Sequence, residues 1–384
     1  GDTYDDAYSH ARKLAAEQGL TFVHPFDDRH VIAGQGTIGK EILAQVDENI
    51  SAIFVPIGGG GLIAGIAAYV KGKRPDIRII GVEPTDSAAM RDSIKAGAPV
   101  TLDHVGIFAD GVAVRRVGDE TFRLCKDLVD EIVTVDTDAT CAGIKDIFED
   151  TRSIVEPAGA LAVAGLKQYL ETHETVGETF VVINCGANVN FDRLRHIAER
   201  AAVGEHEEML LAVEIPEKPG SFREFCKALG RRGITEFNYR YSDTKNAHIF
   251  VGVQLRKGRE EHDELISSLS DLGYPLADLS NNEMAKLHIR HMVGGSSANL
   301  ENERLFRFEF PERPGALLDF LQAIGTEWNI SLFHYRNHGS DHGRVLAGIQ
   351  VPDGESDELE AHLAKLGYAH FEESDNPAYK MFLS

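Results

Sequence analysis

Four consecutive glycines, Gly58-Gly59-Gly60-Gly61, followed by Leu62, are the residues here best suited by type and spacing to bind an anion. With no Cβ in the way, successive backbone N–H groups can converge on one charged group. A helix starting directly downstream adds unpaired donors and the positive end of its dipole. Phosphate is the natural ligand of such a cradle. A turn without a ligand needs one or two glycines, and a run of four carries an entropy cost that a plain turn leaves unexplained. A second polar loop, Cys185-Gly186-Ala187-Asn188-Val189-Asn190, follows the apolar run Val181-Val182-Ile183 and sets a thiol beside another flexible turn.

The rival reading of the glycines is a dinucleotide fingerprint. Gly59, Gly61 and Ala64 fill the G-x-G-x-x-A positions, and Glu83 ends the next apolar run, where an acid could meet a ribose hydroxyl. That makes the chain a nicotinamide-dependent oxidoreductase. Such a site has no standard use for the Cys185 loop.

Both loops have to be held by regular elements. Ile53-Phe54-Val55-Pro56-Ile57 has strand composition, and Leu62, Ile66 and Val70 recur at helical spacing, so the glycines join a strand to a helix. The same alternation runs through the first two hundred residues. The pattern predicts helices at 3–18, from Thr37 through Val46, and at 87–96, 119–128, 139–152 and 158–169. It predicts strands at 20–23, 78–83, 131–135 and 179–184. Strands alternating with helices imply a parallel sheet covered on both faces, with ligands beyond the carboxyl ends of the strands.

From about Glu207 the pattern changes to an internal repeat. Ile215-Pro216-Glu217-Lys218-Pro219-Gly220-Ser221 is echoed by Phe310-Pro311-Glu312-Arg313-Pro314-Gly315-Ala316, with Pro219 and Pro314 separated by 95 positions (314 − 219). Asn238-Tyr239-Arg240 matches His334-Tyr335-Arg336, and Leu272-Gly273-Tyr274 matches Leu366-Gly367-Tyr368. Three landmarks in one register mean a duplicated domain. Each copy reads strand, Pro-Gly turn, helix, two strands, helix, strand, which is a ferredoxin-like α+β unit. The expected division is 1–203, 204–295 and 303–384.

The chain has 384 residues and a net charge of −22, which opposes binding to nucleic acid or an anionic membrane. Cys125, Cys141, Cys185 and Cys226 form no CxxC pair, as expected in a reducing cytosol, so a cytoplasmic protein is expected. His334, His338 and His342 recur at spacings of four but bracket a hairpin turn, so no metal site is expected. Glu156 precedes Pro157 and reads as the start of a helix.

Taken together, the glycine run, Glu156-Pro157-Ala158-Gly159-Ala160, Cys185-Gly186-Ala187-Asn188-Val189 and the Pro-Gly repeat resemble the biosynthetic threonine dehydratases. His24-Pro25-Phe26-Asp27, Ile32-Ala33-Gly34-Gln35-Gly36-Thr37 and Ala109-Asp110-Gly111-Val112 extend the resemblance along the chain. It implies an α/β domain of the pyridoxal-phosphate fold-type II (tryptophan-synthase β-like), in three layers and incomplete here, followed by two ACT-like regulatory domains. The cofactor it implies is pyridoxal 5'-phosphate, held by Gly58, Gly59, Gly60, Gly61 and Leu62. Cys185 stands where the family usually places Ser beside the pyridine nitrogen. The reaction implied is β-elimination from L-threonine, and from L-serine, giving 2-oxobutanoate from threonine, and ammonia. Isoleucine and valine are the implied effectors, with Tyr239, Arg240, Tyr335 and Arg336 as candidate regulatory contacts, in a homo-oligomer that the family makes a tetramer.

The resemblance also implies a gap. The family's Schiff-base lysine lies in an S-x-K-x-R-G motif, and its substrate-carboxylate loop reads S-x-G-N-H-x-Q-G. Neither occurs in these 384 residues, so no catalytic residue is assigned here and both motifs are expected upstream of Gly1. On that reading the chain by itself is inactive. A non-catalytic amino-acid sensor is the alternative that the absent lysine favours.

Overall fold

The computed structural model describes residues 4–46, 49–241, 245–292, 297, 300–311, 314–325, 327–336, 342–366 and 368–383. The chain divides into two units, Gly1–Gly204 and Glu205–Ser384.

The first unit contains, in chain order, α1 (Tyr4–Gln18), α2 (Arg29–Gln45), β1 (Ile50–Pro56), α3 (Gly61–Lys73), β2 (Arg78–Pro84), α4 (Ala89–Ala96) and α5 (Asp119–Leu128). It continues with β3 (Glu131–Val135), α6 (Thr137–Thr151), α7 (Pro157–Thr172), β4 (Thr179–Val182) and α8 (Arg193–Gly204). The strands form a parallel sheet in the order β3-β2-β1-β4. Alternate side chains face opposite layers. Ile53, Val55 and Ile79 pack with Ile63, Ile66 and Val70 of α3 and with Phe122 and Cys125 of α5. Ala52, Phe54, Ile80 and Val82 pack with Leu161, Ala162 and Tyr169 of α7. Burial on both faces explains why β1 and β2 read as near-continuous apolar runs.

Two expectations fail here. Residues 20–23 form no strand: Leu20 and Val23 are exposed, and Phe22 packs edge-on against Tyr8, so no sheet edge takes the segment. The second helix starts at Arg29, well before Thr37, because Asp28 caps it by accepting from the His30 and Val31 amides. Three glycines inside that helix masked the signal. Gly36 and Gly39 are buried against α3, and a Cβ at Gly65 of α3 would lie 2.3 Å from the Ile32 carbonyl.

The second unit contains β5 (Glu208–Pro216), α9 (Ser221–Leu229), β6 (Ile234–Arg240), β7 (Asn246–Gln254), α10 (Arg259–Asp271), β8 (Leu276–Asp278) and α11 (Glu283–Leu287). The second copy follows with β9 (Glu303–Pro311), α12 (Ala316–Ile324), β10 (Asn329–Arg336), β11 (His342–Gln350), α13 (Ser356–Leu366), β12 (Ala369–Glu372) and α14 (Pro377–Phe382). Each copy has the ferredoxin-like strand order, and β6 pairs antiparallel with β10, giving one sheet ordered β12-β9-β11-β10-β6-β7-β5-β8. One face carries α9, α10, α12 and α13 over an aromatic core that includes Phe225, Phe237, Phe320 and Phe333. On the other face Ala285 of α11 packs with Leu210 and Phe250, and Tyr379 of α14 with Leu305 and Leu332.

Candidate functional site

The glycine loop leaves the carboxyl end of β1, where β1 is flanked by β2 and β4. Ile57 still donates to the Val82 carbonyl (2.9 Å), and the chain then turns through Gly58 to Gly60, the last at φ +93° as the N-cap of α3. Neighbours fill the space that side chains would need. A Cβ at Gly59 would lie 2.3 Å from the Phe26 ring, one at Gly60 2.7 Å from Met90 Cε, and one at Gly58 3.0 Å from Val112 Cα. The Gly59 carbonyl is held from behind, accepting from the Thr121 hydroxyl (2.7 Å) and the Gly118 amide (3.3 Å). With the carbonyl turned away, the amides of Gly58 through Ile63 have no hydrogen-bonded acceptor among the described residues. Successive open donors at a helix start fit a phosphate.

The Cys185 loop leaves the carboxyl end of the adjacent strand β4, whose register pairs Val182 with Phe54. Ile183 donates to the Phe54 carbonyl (3.1 Å), so this loop and the glycine loop emerge side by side. Glu156, ahead of α7, holds it. Its amide donates to the Gly186 carbonyl (3.1 Å), and its Oε2 accepts from the Asn188 amide (2.9 Å). Gly186 sits at φ +79°, and a Cβ there would meet the Glu156 carboxylate at 2.3 Å. The same carboxylate lies 2.9 Å from the Cβ position of Gly111, beside the Val112 that abuts Gly58. Cys185 is the exposed cysteine, while Cys125, Cys141 and Cys226 are buried. Desolvation, and then the charge of Glu156, raise its thiol above the ordinary range, so it stays protonated at neutral pH and is an S–H donor.

Glu83 ends the dinucleotide reading. Its carboxylate is fully buried and accepts from the Met90 (2.8 Å) and Arg91 (2.9 Å) amides at the start of α4. Both oxygens are used inside the protein, and none faces a ribose. Burial pushes its pKa up to about 7 against the pull of those two amides. Sequence reasoning gave no role to Phe26, Asp27 or Thr121. Phe26 lies against the glycines, and Asp27 accepts from the amides of Asp119, Glu120 and Thr121. The available signal was His24-Pro25-Phe26-Asp27, a motif of specific residue types in a stretch with no regular periodicity.

In the second unit, Tyr239 is buried and donates its hydroxyl to Glu217, whose carboxyl desolvation raises. Arg240 contacts both Glu303 oxygens (2.5 and 3.3 Å) and the Leu383 carbonyl (2.5 Å). Tyr335 is buried, pairs in register with Phe237, and lines a small cavity with Arg232 and Ile234 of the first copy and Gly315 and Leu317 of the second. Tyr239 and Tyr335 therefore stand on neighbouring strands at the seam between copies. The side chain of Arg336 lies outside the described residues, as does His338. No group of three metal-ligating side chains occurs among the described residues, and none of their helices is long and apolar enough to cross a membrane.

Residues 1–186 match the pyridoxal-phosphate dependent enzyme family. Residues 199–289 and 294–383 each match the C-terminal regulatory domain of threonine dehydratase. The biosynthetic L-threonine dehydratase of Burkholderia multivorans is 59% identical over 384 residues, covering 100% of this chain and 76% of that protein. The corresponding Escherichia coli protein is 54% identical, with 100% and 74% covered. Among solved structures, the processed form of threonine deaminase isoform 2 from Solanum lycopersicum superposes with a TM-score of 0.52 at 46% identity, covering 53% of this chain and 56% of that one. Glycine loop, thiol loop, duplicated regulatory unit and these likenesses agree, and the chain belongs to the biosynthetic threonine dehydratases, enzymes that depend on pyridoxal phosphate.

Proposed function

We propose that the chain serves the deamination of L-threonine, and of L-serine, in isoleucine biosynthesis in the cytoplasm, within a homotetramer inhibited by isoleucine and opposed by valine. The observation that carries the reading is the row of open amides from Gly58 to Ile63 beside the Cys185 loop. Pyridoxal phosphate, when bound, supplies the electron sink that lets the substrate's α-proton and β-hydroxyl leave. Gly58 to Leu62 would hold its phosphate through backbone N–H groups. Cys185 would offer the ring nitrogen a neutral S–H, a weaker donor than the usual hydroxyl.

No lysine of this chain lies in an S-x-K-x-R-G motif, and we propose on that ground that these 384 residues by themselves do not turn threonine over. Incubated with pyridoxal phosphate and threonine, it is expected to form 2-oxobutanoate no faster than the free cofactor does. Faster formation would show that another residue takes the lysine's part. Iodoacetamide labelling reads the cofactor site independently of turnover. Cys185 is expected to react ahead of the three buried cysteines, and pyridoxal phosphate to slow it. Labelling that the cofactor leaves unchanged counts against the site.

For regulation, Tyr239 and Tyr335 are the seam residues we propose for the effector, supported by the small cavity that Tyr335 lines.

A further inference from the structure

The glycine loop is held by a segment with no regular structure of its own. Residues 19–28 join α1 to α2 without helix or strand, so no backbone ladder fixes Phe26 and Asp27, which grip the loop. Phe26 lies against two of the glycines. A Cβ at Gly59 would meet its ring, and one at Gly61 would lie 3.0 Å from its Cβ and 3.1 Å from its carbonyl oxygen. Asp27 accepts from the amides of Asp119 (3.0 Å), Glu120 (2.9 Å) and Thr121 (3.2 Å), which ties down the start of α5. From that start the Gly118 amide and the Thr121 hydroxyl hold the Gly59 carbonyl away from the open donors.

One side chain sets both grips. The Nδ1 of His24 accepts from the Phe26 amide (3.3 Å) and from the Asp27 amide (2.9 Å). A ring nitrogen accepts only while it carries no proton, so both bonds require the neutral imidazole with its hydrogen on Nε2. A second proton makes Nδ1 a donor facing two N–H groups, and the two bonds are lost together. The His24 ring packs edge-on to Phe26, with 4.7 Å between centroids, and against Tyr8 (5.4 Å) and Phe22 (6.2 Å). The charged groups around it are Asp27, Arg12 of α1 and Asp28. Desolvation outweighs the pull of the two carboxylates, Arg12 acts in the same sense as desolvation, and the ring is held below the ordinary 6.5.

We propose that His24 is a positioning residue for the cofactor phosphate: its Nδ1 seats Phe26 and Asp27, and these in turn set the loop from Gly58 to Gly61. The proposal rests on the phosphate reading of that loop. His24 acts through the turn, and the glycine amides make the contact.

Hydrogen exchange and cofactor protection of the full chain test this with two variants. His24→Asn keeps an acceptor oxygen bonded to Cγ, as Nδ1 is, and does not titrate, whereas His24→Ala removes the acceptor. Without cofactor, the Phe26, Asp27 and Gly118 amides should exchange about tenfold faster or more in His24→Ala and stay near wild type in His24→Asn. Gly118 is the telling position, since it lies outside the turn and its amide bonds the Gly59 carbonyl. The pyridoxal phosphate concentration that half-protects Cys185 from iodoacetamide should rise about tenfold in His24→Ala at pH 8 and not in His24→Asn. From pH 8 to 5.5 that concentration should rise about twofold or more in wild type relative to His24→Asn. Titration of the cofactor and of the thiol cancels from this ratio. Gly118 exchange and half-protection left unchanged by His24→Ala would overturn the proposal, as would a His24→Asn as impaired as His24→Ala, or a ratio that stays flat with pH. If His24→Ala fails to fold, the ratio of wild type to His24→Asn decides. Wild-type Cys185 left unprotected at pH 8 refutes the cofactor reading alone, and Gly118 exchange then decides for His24.

Discussion

Arg240 and Glu303 form a nearly buried ion pair, with side chains 10% and 4% exposed. Removing one member leaves a desolvated charge, so Arg240→Ala is expected to lower stability by about 3 kcal/mol, read by denaturant unfolding. An Arg240 whose main task was to hold an effector carboxylate would instead lose isoleucine affinity with little change in stability. Glu83 gives a pH signature. Its pKa is raised from 4.5 to about 7 by burial, so between those values the folded state holds a proton that the unfolded chain has lost. Stability contributed by this group is therefore present at low pH and falls as pH rises through 4.5 to 7, by up to about 3 kcal/mol. Thermal melts from pH 5 to 8 should show wild type losing stability relative to Glu83→Gln. A difference between the two proteins that stays flat across that range refutes the assignment. The position of Glu83 at the end of an apolar run was visible in the sequence. Its partners were not, because the Met90 and Arg91 amides become donors only once α4 folds back over β2.

At the scale of elements, β1, the glycine loop and α3 form one device whose glycines have different tasks. Gly72, near the end of α3, has nothing within 4 Å of its Cβ position, so Gly72→Ala should stabilise by about 0.5–1 kcal/mol through helix propensity. Gly65 lies against the α2 backbone, and Gly65→Ala should destabilise by at least about 2 kcal/mol, because a carbonyl cannot yield as a side chain can. Melting curves of the two variants give opposite signs if α2 and α3 pack as described. Gly59→Ala belongs to the same series but reports on the ligand. It forces the Phe26 ring away from the loop and is expected to abolish protection of Cys185 by pyridoxal phosphate. The strand and helix on either side of the glycines were legible from periodicity. The contacts made by each glycine were not, since Phe26, Thr121 and Val112 approach from segments far apart in the chain.

For the whole molecule, the division at Gly204 and Glu205 predicts two separable events on heating. Isoleucine should raise only the transition that belongs to residues 205–384, as calorimetric scans with and without millimolar ligand would record. A single transition, or a shift in both, would mean that the units unfold together. The sequence by itself determined the alternating strands and helices, the glycine loop between strand and helix, the thiol loop and the duplicated unit. These are local patterns or repeats, written in spacing and residue type. Tertiary structure alone decided that Glu83 is internal, that Glu156 holds the Cys185 loop, that Arg240 is occupied by Glu303 and Leu383, and that β6 meets β10. Each depends on groups distant in sequence meeting in space, and which partner a carboxylate or guanidinium finds is set by packing that no local pattern records.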